Sequence, residues 1–252
     1  MAFDPPAVGP SGTPHRSTIA VGMVCKTPMA GQSKTRLSPP LSPEECAGLS
    51  ACFIADVAAR LAALAALGGV APYAVYSPEG SEAALRALLP AGFPLLAQCG
   101  GDLGDRMTKA VADLLGAGHA GVVLIGSDSP TLPRSILDAA VEAVRGGDRM
   151  TIGRALDGGY TLMGLSKLHP ELFRGVPWST GEVYEATLQR AREIKLPVTN
   201  LPAWYDVDDL ASLRMLETEL AGSPPPCASA ATIGADAPAT RRLLAALART
   251  IP

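Results

Sequence analysis

Lysine is scarce in this chain: only Lys26, Lys34, Lys109, Lys167 and Lys195 occur among 252 residues. The formal net charge is −3, so there is no general basic field to attract nucleic acid or an anionic membrane. Histidine is rarer still, at three, and His15 sits in an N-terminal stretch rich in Pro and Gly. The five cysteines (Cys25, Cys46, Cys52, Cys99, Cys227) include no C-x-x-C pair and are odd in number. That argues against a disulfide scaffold and a thiolate zinc site, and implies reduced thiols in a cytoplasmic protein. A metal site must therefore rely on carboxylates, which suits a hard cation, Mg²⁺ or Mn²⁺. No membrane span is expected, because the most apolar long stretch, Ala51 to Val70, is interrupted by Asp56 and Arg60 and reads as an amphipathic helix. Met1 to Arg16 lacks the apolar segment of a secretory leader.

What is present is length for one large domain and a regular rhythm. Residues 1–17 read as a flexible arm, 18–221 as one domain, and 222–252 as a tail with a helix near Ala239 to Ala248. Thr18 to Cys25 is an apolar run, a buried first strand. After a loop from Lys26 to Pro40, Ser42 is a suitable N-cap, Pro43 fits the first helical position, and Glu44 and Glu45 suit the positive end of the dipole. Gly68 and Gly69 should end that helix. Strand and helix then alternate up to Val144, with Gly121 to Ile125 the most strand-like run. This pattern predicts an α/β fold with a mostly parallel central sheet and helices on both faces. The second half departs from the alternation: Met150 to Leu156 and Tyr160 to Leu165 flank Asp157-Gly158-Gly159, a hairpin signal.

Several segments fall where ligands bind in open sheets, beyond the carboxyl ends of strands. The loop Lys26 to Leu37 carries Lys26, Lys34 and Arg36, with Gly31 allowing close backbone approach to a diphosphate. It is not a P-loop, because no Gly precedes Lys34 and Pro39-Pro40 blocks an immediate helix. The alternative is a solvated basic loop. Asp128 follows the central strand and could hold a metal, or sit in an ordinary turn before Pro130. Asp206 and Asp208 alternate along an extended segment and so share a face. One could complete a metal site; alternatively Asp208 or Asp209 caps the next helix. Arg154 and Asp157 flank a glycine-bearing turn. Arg106 lies in the first turns of a helix within Gln98 to Met107, facing a phosphate or a surface carboxylate. Trp178, in Pro177-Trp178-Ser179-Thr180, could stack on a ring or simply pack in the core.

In order, these segments read K-x-P-x-x-G-x-x-K-T-R-L (Lys26 to Leu37), Q-C-G-G-D-L-G-D-R-M (Gln98 to Met107), G-S-D-S-P-T-L-P (Gly126 to Pro133), L-D-G-G-Y (Leu156 to Tyr160), P-W-S-T (Pro177 to Thr180) and W-Y-D-V-D (Trp204 to Asp208). The set resembles the bacterial glycosyltransferase-like family labelled arsenosugar-biosynthesis-type, within the nucleotide-diphospho-sugar transferase superfamily of GT-A (Rossmann-like) fold. The resemblance spans Ile19 to Glu219. It departs at Cys99-Gly100-Gly101, and at Asp209 to Leu213, where the common pattern reads T-P-E-D-L. The arsenosugar label is not carried over as a function.

The resemblance implies a nucleotide-binding loop with Lys26, Lys34 and Arg36, a metal aspartate at Asp128 and a second metal ligand at Asp208. It also implies sugar or acceptor contacts at Asp157, Gly158 and Gly159. With the residue reading, the expected nucleotide-binding set is Lys26, Gly31, Lys34, Arg36, Gln98 and Arg106. The expected acceptor set is Gly158, Gly159, Tyr160 and Trp178, and the expected catalytic residues are Asp128 and Asp157. The expected partners are a nucleotide sugar and a small-molecule acceptor, with Mg²⁺ or Mn²⁺ and no nucleic acid. The expected activity is metal-dependent glycosyl transfer. The alternatives are nucleotidyl transfer from an NTP to a phosphorylated small molecule, as in 2-phospho-L-lactate guanylyltransferase, and a nucleotide-binding module without catalysis.

Overall fold

The computed structural model describes residues 18–247; the arm at 1–17 and the end of the chain at 248–252 lie outside the described residues. The apolar run after Thr18 forms β1 (Ile19–Lys26), and Ile19, Ala20, Val21 and Met23 are fully buried. A strand buried on both faces reads as a continuous apolar run, which is why β1 was legible. The helix α1 (Pro43–Ala65) begins at the anticipated N-cap Ser42, and Glu45 closes a capping box there: Ser42 Oγ accepts from Glu45 N, and Glu45 accepts from Ser42 N. It ends before Gly68, whose φ is +88°.

β2 (Val70–Ser77), α2 (Glu82–Arg86), β3 (Leu95–Ala97), α3 (Leu103–Gly116), β4 (Gly121–Gly126) and α4 (Arg134–Arg145) follow the predicted alternation. β5 (Met150–Ala155) and β6 (Tyr160–Leu165) form the antiparallel hairpin. α5 (Val183–Glu193), β7 (Val198–Trp204), α6 (Leu210–Leu220) and α7 (Pro238–Leu247) complete the described chain.

One seven-stranded sheet results, in the order β3-β2-β1-β4-β6-β5-β7. The pairs β2–β3, β1–β2, β1–β4 and β5–β7 are parallel, while β6 runs antiparallel to β4 and β5. The α/β fold with helices on both faces is borne out. On one face α1 and α4 pack with Phe53, Ile54, Leu61 and Ile136; on the other α3 and α5 pack with Val111, Leu114 and Ala191. α1 is long and apolar enough to cross a membrane by length and composition. Here Leu49, Phe53, Ile54 and Leu61 are buried against the sheet, and α7 packs on it from outside.

This topology positions the site. β6 is reversed, so β1, β4, β5 and β7 all end at the same edge of the sheet. The segments after those four strands carry Lys34, Asp128, Asp157 and Asp208.

Candidate nucleotide and cation site

At that edge lies a cleft of about 750 Å³, a size suited to a small-molecule ligand. The loop after β1 leaves the sheet with Thr27 N donating to Ser77 O at 2.7 Å. It folds on itself, Gln32 N and Ser33 N both donating to Met29 O, and Leu37 anchors its far end in the core. Between these anchors Lys34 adopts a left-handed conformation, φ 49°, uncommon for a residue with a side chain. The result is that Lys34 points inward.

Lys34 Nζ lies 2.8 Å from Asp128 Oδ1 and 2.9 Å from Asp208 Oδ1, and donates to Val207 O at 2.7 Å. Its side chain is only 6% exposed and runs over the Phe53 ring, 5.5 Å from the centroid. Burial works against its charge, but the two carboxylates outweigh burial and hold its pKa above the ordinary lysine value. Lys34 is therefore not an open-loop cation. It is a buried ammonium laced between the segments that follow β4 and β7.

Those segments are also joined by backbone. Ser127 N donates to Val24 O at 3.1 Å, and Val207 N donates to Asp128 O at 2.9 Å. Arg60, on α1, reaches over and donates to the carbonyls of Pro130 and Leu132, fixing the turn beyond Asp128. Tyr205 and Val207 are buried in the core, so the extended segment presents Asp206 and Asp208 to the cleft, as the alternation predicted. Asp209 is the helix cap: its Oδ1 accepts from Ser212 N at 2.8 Å. That leaves Asp208 for the site.

Asp157 comes in from the β5–β6 turn. Its Oδ1 accepts from Gly159 N at 2.8 Å. Ligand oxygens of Asp157, Asp206 and Asp208 all lie within 4.8 Å of one another. Among the described residues no lysine or arginine forms an ion pair with Asp157 or Asp206. Burial, then the charges of Asp157, Asp208 and Asp128, push the Asp206 carboxyl up to about 7. Its alternation with Asp208 had made Asp206 a candidate, although Asp208 was the expected metal ligand.

The remaining expected residues divide. Lys26, Arg36, Gln98, Arg106, Gly159, Tyr160 and Trp178 all line the cleft. Lys26 and Arg36 are exposed at its rim. Arg106 spends Nε on Gly101 O at 3.2 Å, leaving the other guanidinium nitrogens for a ligand. Gln98 has a structural duty: its amide donates to Cys25 O and Val75 O, stapling the ends of β1 and β2. Tyr160 and Trp178 meet edge to face, centroids 6.5 Å apart, as one aromatic wall. The Tyr160 hydroxyl is buried without a hydrogen-bond partner, and burial raises its pKa far above the usual tyrosine value.

Two glycines do not line the cleft. Gly31, φ +73°, shapes the loop and faces solvent. Gly158, φ +92°, lies so close to Gly181 that a Cβ would stand 2.1 Å from the Gly181 carbonyl oxygen. It builds the turn under Asp157. Arg154 also turns away and stacks over the Tyr184 ring at 5.5 Å. Cys25 lines the cleft, and burial, aided by Asp128, pushes its thiol up to about 12, which disfavours the thiolate.

A sheet of this order puts the cations of the post-β1 loop and the carboxylates that follow β4, β5 and β7 at the carboxyl edge of the strands, where open α/β folds bind ligands. The comparisons agree. The solved structure of a protein from Desulfovibrio desulfuricans G20, named provisionally as a nucleotide-diphospho-sugar transferase, is 30% identical with TM-score 0.78, over 92% of this chain and 97% of that one. A sequence family described as "uncharacterized protein conserved in bacteria (DUF2064)" matches residues 60–180. The chain belongs to the family of the Desulfovibrio protein, within the nucleotide-diphospho-sugar transferase superfamily.

Two further structures share the fold. The CMP:2-keto-3-deoxy-manno-octonic acid synthetase complexed with CTP is 12% identical, with TM-score 0.51 over 81% of this chain and 99% of that one. The 4-diphosphocytidyl-2C-methyl-D-erythritol synthase from Anaerococcus prevotii DSM 20548 is 7% identical, with TM-score 0.52 over 84% and 100%. No curated protein matches the chain significantly. None of these names carries the arsenosugar label.

Proposed function

We propose that this chain transfers a glycosyl group from a nucleoside-diphosphate sugar to a small-molecule acceptor in the cytoplasm, assisted by a hard divalent cation. The supporting observation is the division of charge in the cleft. Asp157, Asp206 and Asp208 converge within 4.8 Å, while Lys26, Arg36 and Arg106 line the same cleft without belonging to that acidic cluster. The 30% identity to a protein named for sugar transfer favours glycosyl over nucleotidyl chemistry.

The acidic cluster fits Mg²⁺ or Mn²⁺: its donors are all carboxylate oxygens that converge, and a cation would relieve the mutual repulsion that raises the Asp206 carboxyl. Bound there, the ion would stabilise negative charge growing on the departing diphosphate. Asp157, Asp206 and Asp208 would hold it. Asp157 thereby joins the cation ligands instead of standing apart as a base. Lys26, Arg36 and Arg106 would neutralise the rest of the diphosphate. Tyr160 and Trp178 would wall one side against water, with Gly159 leaving room for the sugar or acceptor.

The test is a thermal-shift screen of UDP, GDP, CDP and dTDP sugars and of NTPs, with and without Mn²⁺, followed by turnover. Metal-dependent stabilisation by one nucleotide sugar, with glycosyl transfer, supports this reading. Pyrophosphate release from an NTP and a phosphorylated acceptor would replace it with nucleotidyl transfer. Metal-independent binding without turnover would leave a binding module.

A further inference from the structure

The expected metal pair was Asp128 and Asp208. In the fold these two carboxylates are already bridged by Lys34, whose Nζ meets three oxygens: Asp128 Oδ1 at 2.8 Å, Asp208 Oδ1 at 2.9 Å and Val207 O at 2.7 Å. The geometry points to Lys34 as a built-in cation that takes the second metal position, so that the site binds one divalent ion, at Asp157, Asp206 and Asp208, and Asp128 is an anchor for Lys34. The inference rests on the cation-dependent site proposed above.

Three observations carry it. The first is that the ammonium fills the space between the two carboxylates, within 2.9 Å of three oxygens. A divalent ion between Asp128 and Asp208 would have to expel this group.

The second is that expulsion is resisted. The Lys34 side chain is 6% exposed and packs over Phe53. Its backbone is fixed on both sides, by Ser33 hydrogen-bonded to Met29 and by Leu37 in the core. A divalent ion that displaced it would pair the two carboxylates but strip a buried ammonium of its partners.

The third is charge balance. Asp128, Asp157, Asp206 and Asp208 form one acidic group, and Lys34 pairs only with Asp128 and Asp208. Asp157 and Asp206 are left with no ion pair among the described residues, on the side where the three-carboxylate cluster forms. One divalent ion there leaves about one residual negative charge, close to neutral. Asp208 belongs to both positions, so Lys34 is a positioning residue: it orients a carboxylate of the cation site and ties the post-β1 loop to that site.

The experiment counts bound ions on the full chain stripped of metal, titrating Mn²⁺ and reading the free aqueous ion by electron paramagnetic resonance. One ion per wild-type chain is expected. Lys34→Ala should open the Asp128–Asp208–Val207 position and bind a second. Asp128→Asn keeps the shape of the anchor and should still bind one ion, weakened by less than about tenfold through the lost charge. Asp206→Asn should weaken that ion by about tenfold or more. Two ions on the wild type, a single ion on Lys34→Ala, or a loss of about tenfold or more in Asp128→Asn would each overturn the inference while leaving the metal-dependent function standing. No ion on the wild type would overturn both. If Lys34→Ala does not fold, Asp128→Asn decides.

Discussion

Asp56, buried in the middle of α1, accepts both the backbone N–H and the hydroxyl of Thr240 through Oδ2, at 2.9 and 2.7 Å, while its Oδ1 accepts from Ala239 N at 2.9 Å. A carboxylate from one helix thus caps another 183 residues away. It satisfies the orphan donors at the start of α7 and complements that helix's positive end. The same α1 carries Arg60, which holds the turn beyond Asp128.

Asp56→Ala is expected to cost about 2–4 kcal/mol, because it leaves three donors without an acceptor in a buried position. Urea unfolding measures this. A loss under about 0.5 kcal/mol would show that α7 contributes little to the fold.

Gly158→Ala should disrupt the cation site through the backbone alone. The φ of +92° disfavours any side chain, and the new Cβ would collide with the Gly181 carbonyl. The turn carrying Asp157 must shift. The expected outcome is a lowered melting temperature together with loss of the stabilisation expected from Mg²⁺ on the wild type. Full retention of that stabilisation would exclude Asp157 from the cation ligands.

The pH dependence follows from Asp206. Its folded-state pKa of about 7 lies above the ordinary aspartate value. Between roughly pH 4 and 7 the folded chain therefore binds more protons than the unfolded one. Stability without metal should fall as pH rises through that window and then level off. Mg²⁺ must displace the same proton, so its affinity should be about tenfold higher at pH 8 than at pH 6. Thermal melts with graded Mg²⁺ at the two values test this, and Asp206→Asn should flatten the difference.

Arg106→Ala should weaken nucleotide binding by about tenfold, the worth of a charge-assisted contact to phosphate. The effect should shrink with added salt. Binding by calorimetry at two ionic strengths is the measurement. The Mg²⁺ affinity of the free protein should not change, since Arg106 is not paired with the acidic cluster.

How much was legible depends on the range of the interaction. The Ser42 N-cap, the stop at Gly68 and the Asp157-Gly158-Gly159 hairpin involve residues at most a few positions apart, and each formed where the chain pattern placed it. The alternation of Asp206 and Asp208 was readable for the same reason: side chains two apart on an extended segment share a face. What it could not reveal was that Asp206, Asp157 and Asp208 meet, since Asp157 arrives from another hairpin.

Short-range chemistry in the sequence by itself determined the α/β rhythm, the helix ends and the strand ends at which ligand-binding loops lie. Tertiary structure decided what each charged side chain does there. Lys34 reads as a loop cation, yet it is buried against Asp208, 174 residues away. Gln98 reads as a ligand contact, yet its amide joins two strands. Gly158 reads as an opening for the acceptor, yet it makes room for Gly181. The physical reason is that ion pairing and close packing are settled over a few ångströms, and those distances exist only once distant segments have been brought to the same edge of the sheet.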